Sequence, residues 1–203
     1  MAEAAPGKEA EFRSTNQTAF VVGHTGRTGM ALVEELVNRN IFQKVVLIGR
    51  RNVDKYQGEK YNMLEVYQKS NHDYIVKVAE LAKAGGCSHF VLTSAGDADK
   101  DSMMMHKRLK GEVEAECTDM GFQNLSIFRP WLILAQADPQ FSRRISRMLL
   151  APIIYFKPTL MSVPAETIGK AMVNTVLEPS KDAVKIIDNK GIHRVANGKE
   201  CEK

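Results

Sequence analysis

Gly23-His24-Thr25-Gly26-Arg27-Thr28-Gly29 places three glycines at three-residue spacing directly after the apolar run Ala19-Phe20-Val21-Val22. Those residue types at that spacing can cradle a diphosphate. The first glycine lets the chain turn sharply at a strand's end, the second lets backbone approach a pyrophosphate, and the third lets the following helix pack closely on the strand. Amides at the helix start then face the anion, with the helix dipole favouring negative charge. Gly23, Thr25, Gly26, Arg27, Thr28 and Gly29 are therefore candidate dinucleotide-binding residues. Loops of this composition also arise as ordinary turns, and it is the strand before and helix after that favour the cradle. His24 has no evident polar partner nearby in sequence and is expected at the surface.

A second feature bears on which dinucleotide would bind. The next apolar run, Lys44 to Gly49, ends in Arg50-Arg51. In a sheet of this kind the second strand ends beside the adenosine ribose, where a carboxylate suits NAD and basic residues suit the 2′-phosphate of NADP. Arg50 and Arg51 thus argue for NADP(H), against the alternative of two solvated surface arginines.

The elements that must position these residues follow from the pattern of apolar runs. Helical patterns over Met30–Asn38, about Asp73–Ala84 and about Met104–Met120 alternate with short runs at 44–49, 89–95 and 125–130. Short buried strands separated by helices imply crossover connections and a mostly parallel sheet covered on both faces. The expected fold is therefore α/β, a doubly wound Rossmann-like sheet. Glycines at 85–86 and 121 are placed to end two of the helices. Towards the C-terminus, Pro164 marks a helix start, Ile168, Ala171, Met172 and Thr175 form a core stripe, and residues 184–188 read as a strand.

The chain has 203 residues, with 28 Lys+Arg against 24 Asp+Glu, a formal charge of +4. That length suits one domain over 18–203, preceded by a flexible or weakly helical arm at 1–17. The mild, scattered charge falls short of a nucleic-acid footprint. Cys87, Cys117 and Cys201 form no closely spaced pair, which suggests neither a zinc site nor a disulfide framework and fits a reducing compartment. No apolar run is long enough to span a bilayer, so a cytoplasmic location, with nuclear entry open, is expected. Met103-Met104-Met105 reads as core filler at a helix start in preference to a soft-metal surface. Phe141–Leu150, with basic residues among apolar ones, reads as an ordinary amphipathic surface helix in preference to a membrane-binding one.

The segments "FVVGHTGRTG", "FQKVVLIGRR", "VAELAKAGGCSHF", "KGEVEAE" and "FRP" occur in an order that resembles the atypical or extended short-chain dehydrogenase/reductases. Within that superfamily the chain is most similar to the Tat-interacting protein oxidoreductases and related fungal mitochondrial proteins. The resemblance implies bound NADPH, protein partners in growth, apoptosis or transport, and no settled substrate. It also implies a catalytic Ser, then a Tyr and a Lys four residues apart on one helix face. Ser94 matches the serine and Lys110 the lysine, with Lys110 also holding the nicotinamide ribose. The tyrosine position is His106. Imidazole carries protons near neutral pH but reaches roughly 2 Å less far than a phenol, which weakens direct proton transfer.

Two further departures stand out. The family has a glycine after its Arg-Pro pair, whereas Trp131 follows Arg129 and Pro130 here; its indole is expected either to occlude the nicotinamide pocket or to join the core. The family places a third strand, a helix and a fourth strand between Arg51 and Asp73, whereas that span offers no pair of apolar runs here, and by comparison roughly 35 to 40 residues are missing, the fourth strand beside the switch point with them. The strand at 89–94 must then pair with the first or leave both edges open.

Overall fold

The computed structural model describes residues 6–49, 56, 64–68, 74–134 and 162–198. In chain order these form α1 (Pro6–Ser14), β1 (Thr18–Val22), α2 (Arg27–Arg39), β2 (Lys44–Gly49), β3 (Leu64–Gln68), α3 (Tyr74–Ala84) and β4 (His89–Thr93). Then follow α4 (Met105–Asp119), β5 (Asn124–Arg129), β6 (Leu132–Leu134), β7 (Ser162–Pro164), α5 (Ala165–Leu177), β8 (Val184–Asp188) and α6 (Asn189–Ala196). The alternation read from the sequence is present, with α2 beginning three residues earlier than its apolar stripe. Gly86 and Gly121, after α3 and α4, take φ of +79° and +65°, a helix-ending conformation. One strand was not legible. The span after Arg51 contains β3, which pairs in parallel with β2 from Val45↔Leu64 to Gly49↔Gln68.

The strands form two parallel three-stranded sheets, ordered β1-β2-β3 and β4-β5-β8, with the short β6-β7 pair beside them. Among the described residues no hydrogen-bonded strand lies on the outer edge of β1 or of β4. Of the two outcomes open to a chain lacking the strand between them, this is the second. Phe20, midway along β1, is 67 % exposed.

Helix packing holds the halves together instead. Gly169 of α5 lies so close to α2 that a Cβ there would sit 3.1 Å from the Ala31 carbonyl and the Leu32 amide nitrogen. Val173 of α5 belongs to the cluster of Val21, Val33, Leu36 and Val45, and Leu32 packs against both that cluster and the one formed by α5, α6, Phe128 and Ile187. Ile168, Ala171, Met172 and Thr175 are all buried, as their spacing requires. A third cluster, Ala79, Leu92, Cys117, Phe122, Leu125 and Ile127, fills the opposite face of the second sheet under α3 and α4. The apolar side chains of α1 and β2's approach meet as well: Phe12 and Phe42 stack edge to face at 5.2 Å, while Arg39 pairs with Glu9 and Arg13 Nε donates to the Asn40 carbonyl at 2.8 Å.

The methionine run is not core. Met103 is 98 % exposed and Met104 and Met105 are exposed as well, because the first turn of α4 projects beyond the sheet before the helix settles on Gly111, Glu114 and Cys117.

Candidate functional site

The glycine loop is closed backbone against backbone. Gly23 takes φ +79°, a conformation closed to most side chains, and its carbonyl accepts the Gly26 amide at 2.9 Å. At Gly29 a Cβ would lie 2.2 Å from that same Gly23 oxygen, so the helix start and the strand end touch backbone to backbone. Gly26 occupies the N-cap with no side-chain cap and no acid follows in the first turn. The amides of Arg27, Thr28 and Gly29 therefore precede the first intrahelical bond, made by Met30 to the Gly26 carbonyl at 2.8 Å, and point away from the helix. With the helix dipole behind them they suit a phosphate.

His24 is not at the surface. It is fully buried, its ring lying against Gly49 so closely that a Cβ there would be 2.4 Å from the imidazole Cε1. Tyr56 donates its hydroxyl to the His24 carbonyl at 3.3 Å, and the two rings sit 6.2 Å apart. Neither ring nitrogen of His24 has a hydrogen-bond partner. Only a contact from β2, distant in sequence, reveals this burial. Arg50 and Arg51, the residues expected to read the ribose, lie outside the described residues, as do Cys201 and 141–150.

Ser94 stands at the carboxyl end of β4. Its amide donates to the Phe128 carbonyl at 2.8 Å, and its Oγ is buried without a partner. His106 and Lys110 both lie on exposed positions of α4, four residues apart. The structure thus keeps the helix pair on one face and makes no hydrogen bond from Ser94 to either. The loop between them is tied down. The Asp99 amide donates to the Lys107 carbonyl at 3.1 Å, Lys107 Nζ lies 3.4 Å from Asp97, and the Asp99–Lys100 backbone rests directly on Gly111.

Two supports escaped sequence reading. Arg129 clasps buried Glu114 through Nε, at 3.1 Å to each carboxylate oxygen, and through a second guanidinium nitrogen, and that bonding raises the Arg129 pKa. Trp131 does not join the core: it is 58 % exposed, lies against Gly96, and has its amide held by Asn189 Oδ1 at 3.0 Å. An acid eight residues after a helix-surface histidine, and an asparagine opening a helix, were the only signals.

Ser94 Oγ and both His24 ring nitrogens are buried without a partner, whereas buried polar atoms normally find one.

Comparison with known proteins agrees with this architecture. No family model matches the chain. Protein HTATIP2 of Rattus norvegicus is 31 % identical over 221 aligned residues, covering 90 % of this chain and 90 % of the relative. The chain belongs to the HTATIP2 family. Ninety per cent of 203 residues can fill only about 183 of those 221 positions, so roughly 38 are occupied in the rat HTATIP2 protein alone. Protein FMP52, mitochondrial, of Eremothecium gossypii is 24 % identical, covering 84 % of this chain and 93 % of its own. Among solved structures, a UDP-galactose 4-epimerase matches with TM-score 0.59 at 12 % identity, covering 85 % of this chain and 76 % of that one. The UDP-glucose 4-epimerase of Thermus thermophilus, in complex with NAD, matches with TM-score 0.56 at 11 % identity, covering 92 % and 85 %. The HTATIP2-family chain therefore has the Rossmann-like fold of the epimerases and short-chain dehydrogenases. No described helix is long and apolar enough to cross a membrane.

Proposed function

We propose that the chain binds NADP(H) on the glycine loop and acts as a regulatory protein of the dehydrogenase fold, with weak or no turnover, through protein partners in growth, apoptosis or transport. The observation that carries this reading is an uncapped helix start against a backbone-tight glycine turn, in a chain whose proton-donor position is His106. Gly23, Thr25, Gly26, Arg27, Thr28 and Gly29 hold the diphosphate. Arg50 and Arg51 grip the 2′-phosphate, and Lys110 holds the nicotinamide ribose. The bound cofactor would supply hydride; Ser94 would fix a substrate oxygen, and His106 would serve it with a proton only through water. Support for a nicotinamide dinucleotide comes also from structural neighbours solved with NAD. A cytoplasmic or nuclear site of action accompanies this reading, against the mitochondrial naming of the fungal relatives.

Calorimetric titration with NADPH and NADH tests it. Saturable binding with NADPH preferred is expected; no binding, or preference for NADH, overturns it. The open edges of β1 and β4 favour a second reading, a shortened form that holds no nucleotide and competes for the partners of a longer protein. A thermal melt that NADPH leaves unmoved would select that alternative.

A further inference from the structure

We propose that the outward face of the Trp131 indole stacks on the nicotinamide ring of a dinucleotide held by the glycine loop. The inference rests on the cofactor reading above and extends it to the other end of the ligand. A Cβ on Gly96 would lie 2.8 Å from each of Cδ1, Cδ2 and Cε2 of Trp131. Equal distances to three atoms of the five-membered ring put that point over the ring's face, so the indole lies with one face on the Gly96 backbone. Its other face remains open, which accounts for an exposure of 58 % in the chain's single tryptophan.

Both sides of this stack are fixed. Gly96 donates its amide to the Pro130 carbonyl at 2.9 Å. The Trp131 amide donates to Asn189 Oδ1, and the buried Asn189 donates in turn to the Ser162 carbonyl at 3.4 Å. A solvated side chain has no need of such bracing. The platform stands at the carboxyl ends of β4 and β5, where ligands of open α/β sheets bind. Two residues before Gly96, the Ser94 hydroxyl is buried with no partner. An electron-rich π face matches a flat, electron-poor ring. The oxidised ring, which carries positive charge, gains the most from such a face.

Tryptophan fluorescence reports Trp131 alone. The full chain is titrated with NADP+ and with 2′-phospho-ADP-ribose, which lacks the nicotinamide, following emission and calorimetric heat together. Both should bind, with strong quenching by NADP+ and little by the analogue. W131A should weaken NADP+ about tenfold, the scale of one stacking contact, and leave the analogue unchanged; W131F should keep most of the affinity and controls for folding. NADP+ binding that leaves emission unaltered, or an unchanged NADP+ affinity in W131A, overturns the stack while the glycine-loop reading survives. Failure of both ligands to bind overturns both.

Discussion

His106 and Lys110 occupy successive turns of one exposed helix face, so the consequence of having imidazole in the first position is a matter of reach, not orientation. Replacing His106 with Tyr extends the proton-bearing atom by roughly 2 Å. H106Y should raise NADPH-dependent reduction of a carbonyl panel at least about tenfold, whereas H106A should lower the parent's weak rate further; an H106A rate equal to the parent's would exclude the histidine as proton donor. Glu114 is the opposite case, a buried acid whose partner is fixed. E114A leaves the Arg129 guanidinium without its clasp and should cost about 3 kcal/mol of stability, moderated by the access Arg129 retains to water. Urea denaturation measures it. His24 shows where sequence reasoning stops at this scale. Its neighbours in the chain gave no hint of burial, since the surface that hides it is the bare backbone of Gly49, brought alongside by strand pairing.

At the scale of elements, strands and helices were readable because each apolar run is bounded by its own punctuation, and β3 was not because its Leu64-Glu65-Val66-Tyr67-Gln68 mixes polarities and gains its place by pairing with β2. The cradle depends on β1 and α2 meeting without side chains. G29A would drive a methyl into the Gly23 carbonyl, and the expected result is loss of detectable nucleotide binding with α2 displaced at its first turn. Calorimetry and far-ultraviolet dichroism on the same sample separate the two effects.

β4 carries a pH dependence. Burial holds His89 down to about 4, against an ordinary value near 6.5, while its Nε2 shares a 2.9 Å hydrogen bond with Ser126 Oγ. The unfolded chain therefore takes up a proton at this residue before the folded one does. The contribution of neutral His89 is complete above pH 6.5, is lost as pH falls towards 4, and amounts to about 3 kcal/mol at most. The difference in urea midpoint between the parent and H89Q, measured across that window, should track this loss; parallel curves would refute it.

For the molecule as a whole, the two sheets share helices but no ladder. In a parallel strand alternate amides point to opposite sides, so every second amide of β1 and β4 is directed at an edge with no strand partner among the described residues. Hydrogen exchange should be fast at those alternate positions and slow at their neighbours facing β2 and β5. Uniform protection along β1 would mean that something pairs there. The open edge, beside the exposed Phe20 ring on the sheet face, also favours self-association, and F20K should lower any concentration-dependent sedimentation without altering the melt. The open edge itself was foreseeable from the lack of paired apolar runs between Arg51 and Asp73. That the halves would still be joined, through Gly169 against Ala31, was not, because small-residue contacts between distant helices leave no periodic trace.

That helix contact has a consequence for biosynthesis. The first sheet's core is closed by Val173, about 140 to 150 residues downstream of the Val33 and Val21 that it covers. At ribosomal speeds of about 5 to 20 residues per second, the nascent amino-terminal half waits on the order of ten seconds with that surface uncovered. A holdase that binds apolar surface would find its window there, and slowing translation before residue 165 should lower the yield of native protein.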